Sequence, residues 1–491
     1  MTNYGIYIDG RWIESGSDQR IPSRNPYTGQ VWATITQASA DQVDAAIAAA
    51  QRAFDAGWGA LPGVERAKLL SRLADLLDRN AEKLAVADTT DNGKIIRETT
   101  GQARFAARLC RFYAGYADKI WGKTIPLDNP GMFDYTMRHP FGVVLLVTAW
   151  NSPISLLANK LPAALVAGNC VVVKPSEHAS VSTLEFCRLV EEAGFPAGVF
   201  NVVTGDAEVG RRLVSAPGFG KISFTGSPAV GREVAAAAAR NLVPVSLELG
   251  GKSPNIIFAD ADLKKATVGA MSGIFGASGQ SCIAGSRLLV ERSVYDRVVE
   301  DLSQRSAAIR MGNPLDMATE MGPVANEAQL DRILSSVASA KREGARLVSG
   351  GGRASGPGLD GGYFIQPTIF ADVDNGMKLA QHEIFGPVLA VIPFDEEAQA
   401  VAIANATSYG LASGIWTRDL SRSLRVTRAI RAGTVWVNTY RMSASQTPVG
   451  GIKESGYGRE RGEEGLAEFM YSKNVMIDFS EDARDPFTLK T

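Results

Sequence analysis

Cys282 lies in the run FGASGQSCIAGSR, residues 275–287, where most neighbours are small or turn-forming. Sulfur attacks carbonyl carbon readily, and an appreciable fraction of cysteine thiols ionises near neutral pH. A structural cysteine is more often enclosed by bulky apolar side chains. Here Gly276, Ala277, Ser278, Gly279, Gln280 and Ser281 precede it and Ala284, Gly285 and Ser286 follow, so backbone and substrate can come close to the sulfur. A second chemical element is VSLELGGKSPNIIF, residues 245–258, which ends a strand on Glu248 and turns sharply through Gly250 and Gly251. A third is Trp150-Asn151, just past a strand ending at Thr148. An amide there could donate to a developing oxyanion, or simply serve a turn, which is the commoner use of asparagine.

Other polar groups also fall at strand ends, where doubly wound sheets bind ligands. The strand Cys170–Lys174 runs into KPSEH, placing Lys174 and Glu177 at its carboxyl end. An acid there can accept from ribose hydroxyls, and the lysine offers charge or its stem. The strand Lys221–Phe224 runs into TGSPAVGREV, where Gly226, Ser227 and Gly231 open a helix whose backbone N–H groups favour a phosphate. Each of these is also consistent with an ordinary capped turn, and no GxGxxG fingerprint occurs. LGGKS at 249–253 is not a phosphate loop: glycine is needed five positions before Gly251, and Ser246 stands there inside a strand.

The elements that must hold these groups are legible as alternating strands and helices. Residues 41–119 read as mostly helical, with Leu69, Leu70, Leu73, Leu76 and Leu77 at helical spacing. Residues 122–139 are broken by Pro126, Pro130 and Gly131 and read as an extended excursion. Strands are then predicted at 143–148, 170–174, 199–203, 221–224 and 244–248, with helices near 153–167, 179–193, 206–214 and 228–240. The alternation repeats with strands at 255–258, 287–290, 389–393, 412–416 and 433–438, separated by helices near 261–277, 294–309, 325–343, 396–407 and 420–431. The fold class is therefore α/β, with two successive doubly wound parallel-sheet units hinged near Gly250–Gly251.

Bulk properties exclude several classes. At 491 residues the chain holds about three domain-sized units. With 45% hydrophobic and 21% charged residues it is ordinary for a soluble protein, and a net charge of −1 gives no reason to expect nucleic acid or a membrane as partner. The opening MTNYGIYIDGRWIESG lacks an apolar signal core, and stretches such as 141–150 are about half a spanning helix. Four cysteines (Cys110, Cys170, Cys187, Cys282) without CxxC spacing point to free thiols in a reducing cytoplasm. His139, His178 and His382 lack metal-ligand spacing, so no metal is expected and histidine-dependent triads are disfavoured.

Seven segments in order resemble the aldehyde dehydrogenase superfamily nearly end to end: TAWNSP at 148–153, VVVKPSE at 171–177, FTGSPAVG at 224–231, LELGGK at 247–252, GQSCIAGSR at 279–287, EIFGPV at 383–388 and PVGGIKESGYGRE at 448–460. The resemblance implies NAD(P)-dependent oxidation of an aldehyde to a carboxylic acid, with Cys282 as nucleophile and Glu248 as general base. Asn151 and the Cys282 backbone N–H would form the oxyanion hole. Cofactor contacts would fall to Trp150, Lys174, Glu177, Gly226, Ser227, Gly231, Leu249, Glu383 and Phe385. Lys174 and Glu177 would hold the adenine-side ribose, Ser227 and the helix start the pyrophosphate, and Glu383 the nicotinamide-side ribose. Glu177 should repel a 2′-phosphate, which favours NAD, with NADP as the alternative.

The family also implies an NAD-binding domain (1–120 and 141–249), a catalytic domain (250–454), and a small β oligomerisation unit (121–140 and 470–491) that drives dimer or tetramer formation. Where relatives acting on small aldehydes carry aromatic side chains, this chain has Ser152, Asn159, Ser443 and Val449. A wider, wetter funnel follows, suited to a bulky or polar aldehyde, and Arg441 offers a partner for a substrate carboxylate or an ordinary surface charge. The competing readings are a CoA-acylating semialdehyde dehydrogenase, disfavoured by Glu248; a non-catalytic binding homologue, disfavoured by intact Cys282, Glu248 and Asn151; and a cysteine hydrolase that binds no nicotinamide.

Overall fold

A computed structural model describes residues 2–14, 19–481 and 487. Apolar strands bury on both faces and organise two large sheets. The first has eight strands in the order Gly456–Tyr457, Val245–Glu248, Lys221–Thr225, Val143–Val147, Cys170–Lys174, Phe200–Val202, Ile6–Ile8 and Arg11–Ile13. Its five central strands, Val245–Glu248 to Phe200–Val202, run parallel, and the remaining three add antiparallel at its edges. The second has seven strands, ordered Arg346–Ser349, Thr368–Ala371, Val388–Phe394, Arg287–Glu291, Pro254–Ile257, Ala412–Trp416 and Thr434–Val437. All are parallel except Arg346–Ser349.

The predicted strands and helices appear with bounds shifted by a few residues, because burial on both faces makes them continuous apolar runs. Several strands were not predicted, among them Arg346–Ser349 and Thr368–Ala371 of the second sheet. A small sheet of Thr2–Tyr4, Val31–Thr36 and Arg20–Arg24 forms near the N-terminus, and Ile6–Ile8 with Arg11–Ile13 extends the first sheet. Gly456–Tyr457 returns to pair with Leu247 and Glu248. Each is short, and its neighbours in space are distant in sequence, so periodicity carries no signal for it. The excursion at 121–140 contains Thr124–Ile125 and Met132–Pro140, and Met470–Asp478 pairs along the latter from Met470 opposite Pro140 to Asp478 opposite Met132. Residues 482–486 and 488–491 of the predicted terminal segment lie outside the described residues. No helix among the described residues is long and apolar enough to cross a membrane.

One fully buried cation ties the second sheet together. Arg287 donates from Nε to Lys252 O at 3.0 Å, from Nη1 to Ile403 O at 2.9 Å and Asn375 Oδ1 at 3.1 Å, and from Nη2 to Ala404 O at 2.8 Å. Burial lowers its pKa to about 10, so it remains charged. Arg287→Leu leaves those acceptors buried without a donor and is expected to destabilise the protein by about 3–5 kcal/mol. Arg287→Lys should recover part of this. An unchanged denaturation midpoint in Arg287→Leu would contradict this role.

Candidate active site

The site gathers where the two sheets meet. Residues 249–253 connect Val245–Glu248 of the first sheet to Pro254–Ile257 of the second. Glycine is required here by contact. A Cβ at Gly250 would fall 1.9 Å from Glu383 Oε2, and one at Gly251 would fall 2.6 Å from the carbonyl oxygen of Cys282. Glu383 and Cys282 therefore lie flush against consecutive residues of the crossover.

Cys282 is delivered by an unusual turn. Helix Leu263–Phe275 ends at Gly276, and Ala277 and Ser278 both adopt left-handed backbone, with φ of 55° and 53°. Such residues cost about 1–2 kcal/mol each, so the surroundings must hold them. Glu98 Oε1 accepts from Ala277 N at 3.0 Å, and Ser278 Oγ donates to Gly322 O at 2.8 Å. Gly279, with φ of 73°, packs so closely on Gly386 that a Cβ would come within 2.1 Å of its carbonyl. The other three cysteines are buried, whereas Cys282 keeps partial exposure. Burial of its sulfur, reinforced by the charges of Glu383, Glu248 and Glu460, pushes the Cys282 thiol up to about 12. The resting thiol thus carries its proton, and all three carboxylates lie within electrostatic reach of it.

Glu248 is buried and its Oε1 has no hydrogen-bond partner among the described residues. Burial, then the charge of Glu460, raises its carboxyl well above the ordinary range; Lys160 and Arg459 pull the other way. Lys160, fully buried, pairs with Glu460 and donates to Ser223 Oγ at 2.8 Å. Asn151 Nδ2 donates to Gln280 O at 3.0 Å, which fixes the amide beside the Cys282 turn and leaves its second hydrogen for another acceptor.

Gly226, Gly231, Leu249 and Glu383 among the predicted cofactor residues are tied to the crossover, whereas Lys174 and Glu177 pair with each other. Lys174 and Glu177 approach to 3.7 Å. Ser227 Oγ caps helix Pro228–Arg240 by accepting from Val230 N at 3.4 Å. Gly226 N donates to Glu248 O at 3.1 Å, tying this helix start to the crossover. At Gly231 a Cβ would fall 2.6 Å from Leu249 Cδ2, so the helix rests directly on Leu249. Glu383 Oε1 accepts from Gly251 N at 3.0 Å, and burial brings its pKa up to about 7. Trp150 and Phe385 meet edge to face, with centroids 5.3 Å apart. These groups fit a dinucleotide: a capped helix start for phosphate, acids at two positions for ribose hydroxyls, and an aromatic pair whose Trp150 adjoins Asn151.

The predicted substrate residues are held differently from one another. Ser152 Oγ accepts from Lys94 Nζ at 2.5 Å and Gln102 Nε2 at 3.4 Å. Asn159 Oδ1 accepts from Arg461 Nε at 2.9 Å. Arg441 Nη1 donates to Ser272 O at 3.1 Å and lies flat on Gly276, where a Cβ would fall 2.0 Å from it. Ser443 is exposed, and Val449 bridges Glu460 through paired backbone bonds of 2.8 and 2.7 Å. Sequence reading did not single out Lys94, Glu98, Lys160, Glu460 or Arg461. Glu460 ends a quoted motif and Arg461 follows it directly; the others carry no distinguishing local pattern. A surface depression of about 540 Å3 beside Lys264, Arg297 and Asp301 contains none of these groups.

A thiol held near 12 reacts through a minor thiolate fraction that grows as pH rises. In the ligand-free enzyme, iodoacetamide modification of Cys282 should accelerate about tenfold per pH unit from pH 8 to pH 10 without levelling off. A plateau near neutral pH would show a thiolate already formed.

Residues 12–475 match the aldehyde dehydrogenase family model. The chain is 45% identical over 496 residues to (Z)-2-((N-methylformamido)methylene)-5-hydroxybutyrolactone dehydrogenase of Acinetobacter baylyi, covering 100% of both. It is 42% identical over 476 residues to betaine aldehyde dehydrogenase of Brucella anthropi, covering 97% of each. Its fold superposes on the crystal structure of betaine aldehyde dehydrogenase from Staphylococcus aureus in complex with NAD+, with a TM-score of 0.97, 36% identity, and coverage of 99% of this chain and 97% of that one. By sequence over nearly its full length and by fold, the chain belongs to the aldehyde dehydrogenase family.

Proposed function

We propose that this enzyme oxidises a polar or bulky aldehyde to its carboxylic acid with NAD, through covalent attachment to Cys282. The observation that carries the reading is the convergence of a partly exposed Cys282, the partnerless Glu248 carboxyl oxygen and the Asn151 amide at one sheet crossover.

The Cys282 thiol loses its proton to solvent water, and the thiolate attacks the aldehyde carbon. The oxygen gains charge and accepts from Asn151 Nδ2 and the Cys282 backbone N–H. When bound, NAD supplies the acceptor for the hydride leaving that carbon. Sulfur and carbon remain joined as a thioester. Glu248 then takes a proton from water as it adds to the thioester carbon, the carbon–sulfur bond breaks, and the acid departs. Because burial raises the Glu248 carboxyl, it is protonated at low pH, and deacylation should speed up as pH rises and it ionises.

Lys174, Glu177, Ser227, Glu383 and the Trp150–Phe385 pair would hold NAD; Glu177 beside Lys174 favours it over NADP by opposing a 2′-phosphate. The relative from S. aureus crystallised with NAD+ supports this choice. We assign 1–120 and 141–249 to NAD binding, 250–454 to catalysis, and 121–140 with 470–491 to homo-oligomer assembly. Exposed Phe133, Met137, Tyr471 and Met476 on the three-stranded sheet support the last, and a reducing cytoplasm suits the free thiols.

Cys282→Ala should abolish aldehyde-dependent NADH formation, and substantial residual turnover would remove Cys282 from this role. In Glu248→Gln, stopped-flow mixing should show an intact NADH burst followed by a steady state slowed by roughly 100-fold or more. Equal slowing of burst and steady state would contradict general-base deacylation, and rescue by CoA would favour acyl transfer to that thiol. Glu177→Gln should raise kcat/KM with NADP relative to NAD by about tenfold. An unchanged ratio would place cofactor discrimination elsewhere. Higher kcat/KM for acetaldehyde than for larger polar aldehydes would overturn the wide-funnel reading.

A further inference from the structure

Arg461 is 9% exposed and stands next to the Lys160–Glu460 pair without joining it. Its Nε is fixed on Asn159 Oδ1, and its Cζ lies 4.9 Å over the Phe105 ring. Nη1 and Nη2 meet no acceptor among the described residues, and neither is among the sealed, partnerless polar atoms of the interior, so both border open space. Glu460 supplies the main opposing charge but is already paired with Lys160, and a buried guanidinium with two open donors is costly unless something completes its pairing. Its backbone is strained as well: φ of 64° with ψ of 171° falls in a region that only glycine occupies readily. Two independent features, backbone strain and open donors, therefore mark one residue.

The location ties these donors to the reacting groups. Arg461 lies within electrostatic reach of Glu460 first, and then of Tyr113, Cys282 and Glu248. On helix Ile96–Ala114, Glu98, Gln102 and Phe105 follow at helical spacing and touch in turn the Cys282 turn, Ser152 and Arg461. On helix Pro153–Ala167, the N-cap Ser152 sits beside the candidate oxyanion donor, and Asn159 lies on the order of 10 Å further along the axis. Side chains of the two packed helices thus link the guanidinium to the residues that hold Ser152 and the Cys282 turn. Arg441 lies on Gly276 with Nη1 committed to Ser272 O, and Arg459 commits its Nη1 to Gly451 O and Gly458 O.

We propose that Arg461 is a specificity residue that receives the carboxylate of a substrate bearing an aldehyde at one end and an acid at the other, a deepening that rests on the dehydrogenase reading. The planar fork of Nη1 and Nη2 matches a carboxylate in two parallel hydrogen bonds, which a lysine cannot reproduce. Asn159 and Phe105 fix the fork in place before substrate arrives.

The test compares para-formylbenzoate and adipic semialdehyde with their methyl esters, using NADH formation by the full-length enzyme. In the wild type each acid should exceed its ester in kcat/KM by at least about 100-fold, since an ester leaves the buried donors unpaired. Arg461→Met should erase that preference through KM for the acid while ester turnover stays within about threefold, and Arg461→Lys should fall between. Adipate should compete with aldehyde ester in the wild type, a readout that stands even if Arg461→Met does not fold. Acids no better than esters, equal loss on both in the variant, or no competition by adipate overturns the proposal and leaves the dehydrogenase reading intact. Absence of NADH with every aldehyde, acid or ester, sinks that underlying reading instead.

Discussion

Close contact at the Glu248–Lys252 crossover governs this molecule. Five consecutive residues each touch a different working part. Glu248 offers its carboxyl and accepts Gly226 N on its carbonyl; Leu249 carries the helix at Gly231; Gly250 and Gly251 meet Glu383 and the Cys282 carbonyl; Lys252 O anchors Arg287. Ser455 adds a clasp from the distant C-terminal segment, donating to Gly250 O at 2.7 Å and accepting from Leu249 N at 3.1 Å. Two glycines without Cβ atoms are what allow the sheet, Glu383 and the Cys282 turn to come together. A methyl group at either position would displace a charged or reacting group rather than a flexible surface chain.

Burial of ionisable groups around this seam sets the chemistry. Cys282, Glu248 and Glu383 all have raised pKa values, with desolvation the leading cause in each. Three acids close together in a dry space favour protonated forms, and the fully buried Lys160 supplies the compensating charge at Glu460. A thiol kept neutral is a poor target for adventitious oxidation, while an ionised Glu248 in the same environment is a stronger base than an exposed carboxylate. The same burial that restrains the resting site gives its groups strength once reaction begins.

Sequence made the chemistry and the sheet alternation legible because both are local. Cys282, Glu248 and Asn151 stand in short motifs, and strands such as Cys170–Lys174 and Ala412–Trp416 are uninterrupted runs that appear at their expected bounds. Long-range pairing was not legible: Gly456–Tyr457 joins Glu248 from over two hundred residues away. Nor was the state of polar pocket residues. Ser152 and Asn159 are small polar positions in sequence, yet in the fold each is an acceptor for a buried cation, Lys94 and Arg461. Arg461 itself is one residue past a recognisable motif, and only its backbone strain and open donors distinguish it.

The central claim is that substrate carbon becomes bonded to one sulfur, and peptide mapping by mass spectrometry after rapid acid quench reads it directly. Enzyme bearing Glu248→Gln, mixed with aldehyde and NAD, is predicted to carry the acyl mass on the peptide containing Cys282 and on no other. Turnover accompanied by an unmodified Cys282 peptide, or by acyl mass on a different residue, would contradict the account.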